Sequence, residues 1–187
     1  MFKKILVANR GEIAVRIIRA CKELGIPTVA IHSDVDSESM HVRLADESIC
    51  IGSHKPQNSY LNVAAIMSAA EITDADAIHP GYGFLSENYH FAEIVTKNKI
   101  KFIGPSAEIM KKMGDKIEAK RTAKKLGLPI IEGSEGNIKS LEEAKKISLN
   151  IGYPILIKAS AGGGGKGMKL VKNEKELDSA LTLAKQE

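Results

Sequence analysis

The chain has 187 residues, 43% of them hydrophobic and 27% charged, with a formal net charge of +4, which is the composition of an ordinary globular protein long enough to bury a core in one or two domains. Aromatic residues make up 4% and Trp is absent, too few for a base-stacking nucleic-acid surface, and no apolar run reaches the length of a membrane span or a signal-peptide core. A cytoplasmic chain with no nucleic-acid and no membrane partner is expected. The positive run from Lys111 to Lys125, broken by Asp115 and Glu118, reads as a solvated helix face.

In chain order, residues 5–8 form an apolar run that predicts a buried strand. Ile13, Ile17, Ala20, Cys21 and Leu24 then recur at helical spacing, with Gly25 at the expected stop. Strands are predicted over 28–31 and 48–51. Ser59 is expected to cap a helix running to about 72, and 75–79 forms the next strand, ended by Pro80-Gly81. Ser86 opens a helix to about 97, and 101–103 is a further strand. This alternation predicts an α/β fold with a doubly wound, mainly parallel sheet. Near Gly114 the pattern restarts. Asp115 with Glu118, and Ser140 with Glu143, have the spacing of capping boxes. Strands are predicted over 154–159 and 168–171, and Asn173 with Glu176 caps a last helix. That helix carries no stop signal at Glu187, so a piece of a longer polypeptide is expected. Cys21 and Cys50 form no CxxC pair and no metal-type spacing, and both read as small core residues.

Several segments could carry chemistry. The stretch Ala161-Gly162-Gly163-Gly164-Gly165-Lys166-Gly167 lets backbone amides converge on an anion, as phosphate-binding nests do. It is not a Walker A loop, because Ser160 stands where the first Gly belongs and Gly167 where Ser or Thr belongs. A ligand-free hairpin turn is the competing reading. Lys158 ends an apolar strand just before these glycines, and a buried ammonium there would need a counter-charge. The alternative is a Lys on the solvent face of an edge strand. Lys116 stands in the first turn of a helix, where a cation is mildly disfavoured, which suggests an external anion; a surface Lys is the alternative. The segment 79–86 nearly matches the dinucleotide fingerprint G-x-G-x-x-G, with Ser86 in the last place, but lacks the acidic residue expected about 20 positions on. His79 there suits a base, a ligand or a structural role. Glu87 and Asn88 are expected at the carboxyl edge of the sheet, where such folds place ligands. In the turn Asn9-Arg10-Gly11-Glu12, Arg10 and Glu12 suit an ion pair, ligand contacts or a solvated turn.

Taken together these segments resemble one family. Residues 5–26 look like the opening of biotin carboxylases, and Ala-Ile-His-Pro-Gly-Tyr-Gly-Phe-Leu-Ser-Glu-Asn (77–88) resembles their second signature. Residues 102–105, 113–116 and 152–159 continue in the same order. The resemblance implies a Rossmann-like parallel sheet over 1–114, followed from 115 to 187 by the beginning of an ATP-grasp domain with a glycine-rich lid. It implies an ATP-dependent ligase that activates bicarbonate as carboxyphosphate and passes the carboxyl group to biotin on a carrier protein. Such enzymes are subunits of acetyl-CoA, propionyl-CoA and pyruvate carboxylases, the first in fatty acid biosynthesis, and they work with a carboxyltransferase component. By the same resemblance Lys116 and Lys158 contact ATP phosphates, Gly162, Gly163, Gly164 and Gly165 form the lid, and Met168 lies near the base. Arg16, Arg19 and Glu23 stand where the family makes a homodimer contact.

This chain departs from the family pattern at Ala161, where Gly is common, and at Lys166, where Arg is common. The resemblance places the Mg2+ ligands, the bicarbonate groups and the catalytic residues downstream of Glu187. No catalytic or metal-binding residue is therefore expected within these 187 residues, and the segment alone is expected to be inactive. Another ATP-grasp ligase of the carbamoyl-phosphate type, an NAD-binding oxidoreductase domain and a non-catalytic dimerisation module are the competing readings.

Overall fold

The computed structural model describes residues 1–134, 136–158 and 168–186. They fall into two compact units, Met1–Gly114 and a second that begins at Asp115.

In the first unit, strands β1 (Ile5–Val7), β2 (Thr28–His32), β3 (Glu47–Cys50), β4 (Ala77–His79) and β5 (Lys101–Phe102) form one sheet in the order β3-β2-β1-β4-β5. Every pairing is parallel. Alternate residues point to opposite faces, and both faces are covered. Leu6, Val29, Ile31 and Ile78 belong to one core cluster, while Ile5, Val7, Ala30 and Ala77 belong to another. Coverage on both faces is why β1 and β2 are continuous apolar runs rather than alternating ones.

Helix α1 (Gly11–Glu23) packs on the second face through Ala14, Ile17, Ile18 and Cys21, the i, i+3, i+4, i+7 stripe of an amphipathic helix. It ends in a Schellman turn. Ile26 N–H reaches Cys21 O at 2.9 Å, Gly25 N–H reaches Lys22 O at 3.1 Å, and Gly25 takes φ +68°. A short α2 (Met40–Leu44) follows β2. The opposite face is covered by α3 (Val63–Ile72) and α4 (Tyr89–Lys97), whose Ile66, Ala69, Phe91 and Val95 enter the first cluster. Helix α5 (Ala107–Gly114) closes the unit.

Three expectations are corrected here. The cap of α3 is Asn62, whose Oδ1 accepts from Ala65 N–H at 3.1 Å, and not Ser59. The Ser59 hydroxyl is already committed to Lys55 O at the end of a 3-10 turn. In the same way α4 is capped by Asn88, which accepts from Phe91 N–H at 3.0 Å, while Ser86 lies in the preceding turn. Cys21 is buried, but Cys50 is exposed, because β3 is an edge strand with little packed against it. Helices α2 and α5 have no counterpart in the periodicity reading. Both are short.

In the second unit, α6 (Lys116–Lys125) starts at Asp115, whose Oδ1 accepts from Ile117 and Glu118 N–H at 2.8 and 3.0 Å. The Glu118 carboxylate pairs with Arg121 instead of reaching back to complete a box. Strands β6 (Ile155–Lys158) and β7 (Met168–Val171) pair antiparallel. Helices α7 (Leu141–Ile151), capped by Ser140, and α8 (Leu177–Gln186) supply Ala144, Leu177, Ala180 and Leu181 to a core that takes in Ile155, Ile157 and Val171. The other hairpin face, with Leu156, Lys158, Met168 and Leu170, is exposed.

Candidate functional site

At the carboxyl edge of the first sheet the strand order reverses between β1 and β4, the switch point at which open α/β sheets hold ligands. The register Val7↔His79 brings the ends of these strands level, so the turn after β1 meets the loop after β4. Asn9 joins them. Its Nδ2 donates to Pro80 O at 2.7 Å and Tyr82 O at 2.8 Å, and its Oδ1 accepts from Arg10 N–H at 2.9 Å. Asn9 is 3% exposed, so these bonds are made away from solvent. A Cβ on Gly81 would come within 2.8 Å of Asn9 Nδ2, and Gly81 takes φ +65°. Glycine is therefore required here both for its backbone and for its lack of a side chain. His79 completes the loop, its Nδ1 accepting from Gly81 N–H at 3.0 Å. Burial holds its pKa below the ordinary imidazole value. His79 is thus a neutral turn anchor, and the near-fingerprint 81–86 serves loop geometry.

A second network fixes the loop from the side. Arg10 pairs with Asp36 at 3.1 Å and lies over the rings of Tyr60 and Phe84 at 5.4 and 6.0 Å. Those rings stack at 5.0 Å, and Phe84 holds φ +40°, an unusual conformation for a bulky residue. The Tyr60 hydroxyl donates to Asp36 at 2.6 Å and accepts from Ser33 N–H at 3.0 Å. Burial, reinforced by the hydrogen bond to Asp36, pushes the Tyr60 phenol up to about 12. Burial alone would raise the Asp36 carboxyl, but hydrogen bonds from Tyr60, Ser33 and Arg10 outweigh it and hold the group below the usual range. Arg10 therefore finds its partner in Asp36. Glu12 accepts instead from the Tyr82 hydroxyl at 2.5 Å, and the Tyr82 ring is 60% exposed. Asn9, Asp36 and Tyr60 were not legible as a group, because 27 or more residues separate Asn9 from Asp36 and Asp36 from the loop they both hold in place.

The predicted phosphate site maps onto the second unit. Lys158 and Met168 are cross-strand partners on the exposed hairpin face. The Lys158 side chain is exposed, so it carries no desolvation cost, and the buried-ammonium argument for a counter-charge is corrected accordingly. Lys116 opens α6. Gly162, Gly163, Gly164 and Gly165 lie outside the described residues. Arg16, Arg19 and Glu23 are exposed on α1. Among the described residues no group of three or more His, Cys, Asp or Glu side chains could hold a metal, and no helix is long and apolar enough to cross a membrane.

The first unit is thus a Rossmann-like α/β domain whose β1 and β4 loops are tied together by Asn9 at the switch point, and it precedes a helix-backed hairpin. Residues 1–110 match the family description "Biotin carboxylase, N-terminal domain", and residues 115–187 match "Carbamoyl-phosphate synthase L chain, ATP binding domain", the beginning of an ATP-grasp fold. Biotin carboxylase 1 of Bacillus subtilis is 54% identical over 187 residues, which is 100% of this chain and 42% of that protein. The structure of a biotin carboxylase from Campylobacter jejuni in complex with β,γ-ATP superposes with a TM-score of 0.94 at 51% identity, covering 100% of this chain and 42% of that one. The dimeric biotin carboxylase domain of Hydrogenobacter thermophilus 2-oxoglutarate carboxylase, in complex with MgADP, ADP and bicarbonate, gives 0.88 at 52% identity, again covering 100% and 42%. The chain belongs to the biotin carboxylase family, and it spans about two fifths of the length of the relatives it matches.

Proposed function

We propose that the protein is an ATP- and bicarbonate-dependent biotin carboxylase, a carbon–nitrogen ligase that carboxylates biotin on a carrier protein or domain and hands the product to a carboxyltransferase component. Family membership across both units supports this reading. The observation that carries the chain's own role is the register that sets Lys158 opposite Met168 on an uncovered hairpin face. We assign residues 1–114 to the N-terminal domain and 115–187 to the first part of the ATP-grasp domain.

ATP, when bound, supplies the phosphoryl group that activates bicarbonate. This chain's contribution is to hold it. The exposed ammonium of Lys158, with Lys116 at the start of α6, offers charge to the phosphates. Gly162, Gly163, Gly164 and Gly165 offer backbone amides, and the Met168 thioether offers a polarisable apolar contact to the base. The Mg2+ that neutralises developing charge in phosphoryl transfer is proposed to find its ligands downstream. The exposed Arg16, Arg19 and Glu23 of α1 are proposed to contact a second copy in a homodimer.

The test uses the full-length protein. ATP cleavage should depend on both bicarbonate and biotin, and Lys158→Gln should weaken ATP binding. Cleavage indifferent to biotin would overturn the assignment.

A further inference from the structure

The loop after β4 is closed through one imidazole nitrogen. His79 Nδ1 accepts from Gly81 N–H at 3.0 Å, so Nδ1 is bare and Nε2 carries the proton of the neutral ring. Gly81 turns the chain at φ +65°. The carbonyls on either side of it, Pro80 O and Tyr82 O, accept from Asn9 Nδ2 at 2.7 and 2.8 Å. Beyond them the Tyr82 hydroxyl donates to Glu12, and Phe84 sits at φ +40°, a conformation that a bulky residue keeps only while its surroundings enforce it. His79 is half-buried, within reach of a proton from solvent, whereas His41 is completely buried.

A second proton on the ring turns the acceptor into a donor. Gly81 N–H then faces another N–H, and a charge appears in a half-buried place, which is a costly combination. The neighbouring elements give that charge no relief. The turn after β1 carries Arg10 and Glu12, already engaged with Asp36 and Tyr82. Strand β1 sets Val7 level with His79, β5 sets Lys101 beside Ala77, and Glu87 precedes α4. None of these charges shifts the His79 titration, which burial alone depresses. Moving the ring into water is the remaining way to keep the proton.

We propose that loop 80–86 is a proton-operated latch: the neutral His79 ring holds it at the sheet edge, and a proton taken from water at Nδ1 releases it, freeing Pro80 O and Tyr82 O from Asn9 and the Tyr82 hydroxyl from Glu12. The sheet itself stays folded. One proton thereby reshapes the carboxyl edge, where open α/β sheets hold ligands, and the latch requires neither nucleotide nor biotin.

Amide exchange of the chain, followed by NMR and corrected for the pH dependence of free peptide, reads the latch between about pH 7 and about pH 5. Gly81 N–H should lose protection as pH falls below the ordinary imidazole value of 6.5, by at most about tenfold per pH unit because one proton is taken up. Ile5 N–H, which bonds Pro27 O at 2.9 Å at the far end of β1, should keep its protection. The loss should share its midpoint with the His79 ring nitrogens and not with those of His41. His79→Gln has no titrating proton and should leave Gly81 exchange independent of pH over this range. Gly81 protection that stays constant while His79 titrates, a loss shared equally by Ile5, a midpoint that follows His41, or a decline that persists in His79→Gln would each overturn the proposal. Should that variant not fold, the first three comparisons, all made on the parent chain, decide the matter.

Discussion

Lys158 and Met168 stand opposite each other across the β6–β7 pair, on the hairpin face that α7 and α8 leave uncovered. In the sequence the glycine-rich segment lies between the two. A charged group and a soft apolar group thus share one surface at the two ends of that segment.

Replacement of Lys158 by Gln tests the charge alone. The side chain is exposed, so melting temperature should not move. A charge-assisted hydrogen bond to phosphate is worth enough that ATP affinity should fall by about tenfold or more. Calorimetric titration of the full-length protein with ATP measures it, and unchanged affinity would remove Lys158 from the phosphate site.

The Asn9–Gly81 contact predicts two losses of stability. Gly81→Ala places a Cβ 2.8 Å from Asn9 Nδ2 at φ +65°, which should cost about 1–3 kcal/mol. Asn9→Ala strips the donors from Pro80 O and Tyr82 O, a loss of about 1–3 kcal/mol. Because both act through one contact, the double variant should cost less than the sum. Urea unfolding of the three variants provides the cycle.

Tyr60→Phe keeps the stack on Phe84 but removes the hydroxyl that joins Ser33 N–H to Asp36. The buried amide is left unpaired, at a cost of about 1–3 kcal/mol. In the parent protein one tyrosine should resist ionisation until about pH 12, and ultraviolet titration should show that late step vanish in the variant.

Acid should weaken the first unit in two stages. Burial depresses the pKa values of His41 and His79, so the unfolded chain takes up their protons first. Their contribution is complete above the ordinary value of 6.5 and drains away as pH falls below it. The Asp36 carboxyl, held below its ordinary 3.8, contributes above that value and loses its contribution only as pH falls beneath it. Melting temperature should therefore decline from pH 7 toward 5 and again below about pH 4. His79→Gln should flatten the first decline and Asp36→Asn the second.

The two cysteines should differ in reactivity. Cys50 is exposed, whereas Cys21 is buried and its thiol is raised by that burial. A thiol reagent should label Cys50 in the native chain and reach Cys21 only on unfolding. Equal labelling rates would contradict the packing of α1.

Most of the fold could be read along the chain because its signals are local. The apolar run after Lys4 marked β1, the spacing of Ile17 and Cys21 with Gly25 behind them marked α1 and its end, and Asp115 and Ser140 marked caps that bond within three residues. The misreadings came from rival local signals. Ser59 and Ser86 have cap chemistry, but Asn62 and Asn88 stand closer to the first buried turn of each helix and take the role.

The sequence by itself determined the succession of strands and helices, the restart near Gly114 and the family, because periodicity, caps and long motifs are properties of neighbouring residues. Tertiary structure alone decided what the motifs do at the sheet edge. Only folding brings Asn9 to Gly81, Arg10 to Asp36, and Tyr60 beneath Phe84. Parallel pairing levels β1 with β4 and lets one buried Asn bond to two carbonyls of the loop that follows β4.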